Sequence, residues 1–201
     1  MSSGSRSAVL LAIFLCAIGC APDEAAQNNN TVESTVSAPN PSREITQIPQ
    51  SDDLSEAAAA TLSEIRSLIE TGSLRQLARF ADRQRGFTSN FGTDSHFDYW
   101  YLLRRTGVEP LSQLTTILDQ PHGDILVGNK RWHIWPDFAA LPENARSPDE
   151  MSLSDRTRLF SLVGEQAANG MKDGLPYPGV RTAISEDGRW IYWLFDTGED
   201  D

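Results

Sequence analysis

Val180-Arg181-Thr182-Ala183-Ile184-Ser185, Glu186-Asp187-Gly188, Arg189-Trp190-Ile191-Tyr192-Trp193-Leu194-Phe195: this stretch decides the fold class. Two runs of β-branched and aromatic residues flank an Asp-Gly pair. Such a pair suits a tight hairpin turn, because glycine accepts the positive φ that the right-handed twist of the strands demands. In the second run both alternating faces are apolar, so a strand buried on both sides accounts for it without a ligand. The alternative is an aromatic wall for an apolar ligand, a glycan or a partner surface.

Upstream, Asp124 to Trp135 repeats the pattern. Ile125-Leu126-Val127 and Arg131-Trp132-His133-Ile134-Trp135 lie either side of Gly128-Asn129 and predict a second hairpin. Period-two alternation sets His133 and Trp135 on one face and Trp132 and Ile134 on the other. Trp132, His133 and Trp135 are therefore the candidate ligand or partner surface, with His133 and Trp135 at a pocket mouth or on the wetter side of the sheet.

Working back towards the amino terminus, the period changes from two to helical. Ser55 caps a first helix with Leu62, Ile65 and Ile69 in its stripe, ended by Gly72. Ser73 caps a second, with Leu74, Leu77, Ala78 and Ala81 on one face. Phe87 to Phe91 alternates as a short strand. Ser95 and Asp98 have capping-box spacing for a helix carrying Phe97, Trp100, Tyr101 and Leu103, and a further helix runs from Pro110 with Leu111, Leu114 and Leu118. Ser152 or Ser154 starts a last helix with Leu159, Leu162 and Val163. Helices early, hairpins late and no repeating strand–helix–strand unit give an α+β class with a mainly antiparallel sheet. In element order alone, the first third of this domain loosely resembles NTF2-like cone folds. No motif residue carries that resemblance, so it implies no site.

Chemical motifs are sparse. His96, His122 and His133 show no HxxxH or HExxH spacing, so the sequence singles out no metal site. A GxSxG elbow, a GxxxxGK[ST] loop and a GxGxxG turn are absent. No catalytic residue and no cofactor is assigned, and the domain reads more as a non-catalytic module than as an enzyme. The formal net charge is -11, from 28 acidic against 17 basic residues. A surface of that sign repels phosphate backbones, which disfavours nucleic acid as a partner.

The first residues, MSSGSRSAVLLAIFLCAIGC, address location. Arg6 precedes Ala8 to Gly19, twelve uncharged residues that would make a helix of about 18 Å, short of the roughly 30 Å core of a bilayer. Residues 1–19 read as a signal peptide. Ala17-Ile18-Gly19-Cys20 resembles a bacterial lipobox; Gly19 and Cys20 match it, and Ala17 stands where Leu is usual. The resemblance implies lipid, including palmitate-type acyl chains, on Cys20, with cleavage just before it. It further implies an exported lipoprotein of the bacterial cell envelope, on the outer membrane or the periplasmic face of a Gram-negative cell. Two other readings stand beside it: cleavage by an ordinary signal peptidase, or an uncleaved short anchor. Cys16 and Cys20 are the two cysteines of the chain, so a domain beyond them has neither a disulfide nor a thiolate site.

From Ala21 to Asp53 there is no Phe, Trp or Tyr, and Asn, Ser, Thr and Pro abound. Such a stretch buries too little apolar surface to offset its ordering entropy. The expected organisation is therefore a signal peptide (1–19), a lipidated cysteine with a disordered tether (20–53) and one α+β domain (54–201). The expected partners are the membrane, through the lipid, and an envelope protein or a small apolar ligand.

Overall fold

The computed structural model describes residues 45–47, 54–89 and 95–195. They belong to a compact unit spanning residues 41–201. The fold is α+β: the described residues form six α-helices and an antiparallel sheet in the order β1-β2-β3-β4-β5. The strands are β1 (Ile45–Gln47), β2 (Gly123–Val127), β3 (Lys130–Trp135), β4 (Arg181–Ser185) and β5 (Trp190–Leu194). β1 pairs with β2 at the sheet edge. It lies inside the stretch that composition assigns to the tether, so the folded unit begins before residue 54.

Helix starts follow local capping chemistry. α1 (Glu56–Glu70) and α2 (Leu74–Arg83) are capped by Ser55 and Ser73, whose hydroxyls accept from the amides of Ala58 and Gln76. In α3 (His96–Arg105) Ser95 accepts from the Asp98 amide and donates to its carboxylate at 2.6 Å. α4 (Pro110–Leu118) has proline in its first turn, where no amide donor is needed. α5 (Leu153–Val163) starts at Ser152. It is not the last helix, because α6 (Glu165–Gly170) follows after Gly164. The stretch read as a strand at Phe87 makes, among the described residues, a single parallel bridge between Thr88 and Tyr192. Through it Thr88 accepts from the Trp193 amide and donates to the Ile191 carbonyl, covering part of the outer edge of β5.

Helices α1 to α4 pack on one side of the sheet. Ile65, Leu77, Trp100 and Leu114 meet Trp135, Ile184, Trp190 and Trp193 there, all buried. Trp190 and Trp193 are three apart and would point to opposite faces of a regular strand. A register shift solves this: Ala183 pairs with Tyr192 and Ile184 with Trp190, leaving Ile191 as an extra residue. Both indoles thereby reach the core, and Trp193 packs 4.7 Å from Trp100 between ring centres. The opposite face carries Ile134 and Ala183 with the half-buried Ile125, Trp132, Ile191 and Tyr192. A smaller core of Phe138, Leu159, Ala168, Met171 and Tyr177 serves the β3–β4 connection.

Two hydrogen bonds fix α1 to the β4–β5 turn. The Ser55 hydroxyl donates to the Glu186 carbonyl at 2.7 Å and Thr61 donates to the Gly188 carbonyl at 2.6 Å. Gly188 sits at φ 80°, and a Cβ there would lie 2.8 Å from the Ala57 carbonyl. The Asp-Gly turn is thus demanded both by backbone hand and by the closeness of α1.

Candidate functional site

The β2–β3 hairpin brings together three residues that are scattered in the sequence. Its register pairs Val127 with Lys130 and, four pairs in, Gly123 with Ile134; Asp124 stands directly opposite His133. His122 lies two residues before Asp124 and so follows it on the helix-facing side. His133 Nδ1 is 2.7 Å from Asp124 Oδ1, and His122 Nε2 is 3.7 Å from the same oxygen. One donor atom from each of the three residues lies within 4.8 Å of the other two. The His122 ring stands edge-on to His133 at 5.3 Å and lies 5.2 Å from Trp135.

Burial makes this cluster unusual. The side chains of Asp124 and His133 are 0% and 1% exposed, and that of His122 is 14% exposed. A carboxylate withdrawn from water is costly unless it is paired and hydrogen-bonded. Here Asp124 accepts on Oδ1 from His133 Nδ1, in the tautomer that carries its hydrogen there. Its Oδ2 makes no hydrogen bond among the described residues; the Arg131 guanidinium approaches it at 3.8 Å. His133 Nε2 is likewise buried without a hydrogen-bond partner among those residues. A serine–histidine–aspartate arrangement would place a hydroxyl on that nitrogen, and none of the described residues supplies one. Two imidazoles and a carboxylate are, by donor type, a set that could hold a transition-metal ion.

The residues expected to form one surface are divided by the sheet. His133 and Trp135 are buried beneath the helices, on the dry side and not the wetter one. The helix layer packs on that face, and alternation alone cannot tell which face it chooses. Trp132 lies on the opposite side, half-buried beside Tyr192 at 6.4 Å. There it borders an open cleft of about 330 Å³ with Arg85, Lys130, Arg189 and Ile191. Burial pushes the Tyr192 phenol up to about 12, so its hydroxyl stays protonated near neutrality. The remaining histidine, His96, hydrogen-bonds Ser89 through Nδ1 at 2.7 Å and packs against Phe87 and Trp100, an ordinary structural role. Cys20 lies outside the described residues.

His122 and Asp124 escape a reading built on helical ligand spacings. Hairpin arithmetic finds them: a two-residue turn at Gly128-Asn129 makes paired positions sum to 257, which places Asp124 against His133 and His122 against Trp135. Compared with known protein families, characterised proteins and solved structures, the chain shows no significant match.

Proposed function

We propose that this chain is a lipid-anchored protein of the bacterial cell envelope, whose α+β domain acts as a non-catalytic binding or assembly module. The observation that carries the proposal is Ala17-Ile18-Gly19-Cys20 at the end of the uncharged run that begins at Ala8. In this reading the Cys20 thiol receives the lipid. Each buried methylene contributes about 0.8 kcal/mol, so two or more acyl chains hold the protein on the membrane. Among the described residues no helix is long and apolar enough to cross a bilayer.

The packing of the domain supports a module over the alternative, a ligand-binding or enzymatic domain with an NTF2-like pocket. Such a pocket needs room against the aromatic strands. Trp100, Trp190 and Trp193 are fully buried there, with ring centres 4.7 to 6.3 Å apart. The half-exposed side around Trp132, Ile191 and Tyr192 is the face on which a partner or apolar ligand would be met. Cys20→Ser in cells tests the anchor. The variant should lose incorporation of labelled palmitate and move from the membrane fraction to the soluble one; unchanged fractionation would overturn the proposal.

A further inference from the structure

We propose that His122, Asp124 and His133 form a binding site for one divalent transition-metal ion of the zinc class. The donor set selects the class. Two imidazole nitrogens with one carboxylate oxygen suit zinc and its neighbours, whereas calcium and magnesium prefer oxygen cages. The spacing fits as well. Donors on a tetrahedral ion with bonds of about 2.0–2.1 Å stand about 3.3 Å apart. The distances from Asp124 Oδ1 to His133 Nδ1 and His122 Nε2, 2.7 and 3.7 Å, bracket that value. Side-chain adjustment would bring the three donors, all within 4.8 Å of one another, to that spacing.

Two further features point to a cation and not merely to a cross-strand hydrogen bond. The Asp124 carboxylate is wholly buried, yet it accepts a hydrogen bond on one oxygen alone among the described residues. A divalent ion at Oδ1 would give this buried carboxylate a counter-charge, while Arg131 remains 3.8 Å from Oδ2. His133 must also free Nδ1 of its hydrogen to bind metal. Its Nε2 makes no hydrogen bond among the described residues, so the hydrogen can move there, and the bond it gives up at Asp124 Oδ1 is replaced by the shared ion. His122, the most exposed of the three, lies on the side from which an ion and a further water ligand arrive.

The scaffold favours precision. Asp124 and His133 are fixed by register on adjacent strands, and strands hold ligand geometry better than loops. The 3₁₀ turn Asp137–Ala140 packs on both strands, and the Asp137 amide donates to the Pro121 carbonyl at 2.9 Å, holding the approach to His122.

The site is independent of anchoring, so its test separates from that of the lipid. The full chain, stripped with a chelator and dialysed against about 10 µM zinc, should retain one zinc per chain by elemental mass spectrometry. Cobalt in its place should give the visible absorption of a tetrahedral site. His122→Ala changes only the most exposed ligand, and Asp124→Asn keeps the side-chain volume. Each should lower zinc affinity at least tenfold, in chains shown by circular dichroism to be folded. His96→Ala and Cys20→Ser should retain zinc like the parent. Zinc should raise the melting temperature of the parent and leave His122→Ala unmoved. A folded parent holding no more zinc than His122→Ala, or ligand variants that bind zinc as tightly as the parent, would overturn the site and leave Asp124 and His133 as a structural pair.

Discussion

Replacing Thr182 by Val probes the aromatic core at a single oxygen atom. The Trp190 indole Nε1–H donates to Thr182 Oγ1 at 2.7 Å, and that hydroxyl donates onward to the Tyr192 carbonyl at 2.6 Å. Thr182 and Trp190 are both fully buried. Valine keeps the β-branch and nearly the volume, so strand preference and packing barely change. What disappears is the acceptor for the indole and one donor to the carbonyl. A buried donor left without a partner costs about 1–3 kcal/mol, and a lost neutral hydrogen bond about 1 kcal/mol. The carbonyl keeps a second lone pair, so the sum expected is about 2–3 kcal/mol. In urea, with a slope of about 2 kcal/mol per molar, the unfolding midpoint should fall by about 1–1.5 M. Circular dichroism is the appropriate probe, because the variant alters the surroundings of an indole and with them its fluorescence. A midpoint shift below about 0.25 M at unchanged slope would refute the reasoning. It would mean that Trp190 is held by shape alone, as the hydrogen-bond-free indole nitrogens of Trp100 and Trp193 are among the described residues.

Gly123→Ala should destabilise the chain by about 1–3 kcal/mol, read as a lowered urea midpoint, because the new Cβ would stand 2.6 Å from that of Ala140 and 3.1 Å from the Asp137 carbonyl. Arg158→Lys should cost about 1–2 kcal/mol in the same assay. It breaks a paired contact with Asp137 at 2.6 and 2.9 Å and the stacking of the guanidinium over Phe138 at 4.1 Å. Acid should weaken the fold through Asp187 and Asp155. The Lys130 ammonium and the Ser185 hydroxyl hold the Asp187 carboxyl well below its usual range, and the Ser152 hydroxyl and Arg158 lower that of Asp155. Because these folded-state values are depressed, their stabilisation is present above the unfolded value of about 4 and is lost as pH falls through the folded ones. The midpoint difference between the parent and Asp187→Asn should accordingly shrink from pH 5.5 to 2.5; a constant difference would contradict the assignment.

Local chemistry was the legible part of this fold. Ser55, Ser73, Ser95 and Ser152 each mark a helix start in sequence and each accepts from an amide three residues on. Asp187-Gly188 and Gly128-Asn129 mark both hairpins, because positive φ is a property of the residue itself. The features that escaped depend on partners distant in the chain. The extra residue at Ile191, which turns Trp190 and Trp193 to the same side, is fixed only once β5 pairs with β4. β1 has three residues, and its neighbour β2 supplies the hydrogen bonds that make it a strand. The His122–Asp124–His133 cluster depends on carrying the hairpin register through to side chains, and its burial depends on which face the helices cover.

Mass spectrometry of the mature amino-terminal peptide tests the account most directly. The peptide should begin at Cys20 and carry a thioether-linked diacylglyceryl group, with or without an acyl chain on its amino group. A peptide beginning upstream of Cys20, or a Cys20 with a bare thiol, would contradict the lipid anchor on which the proposed function stands.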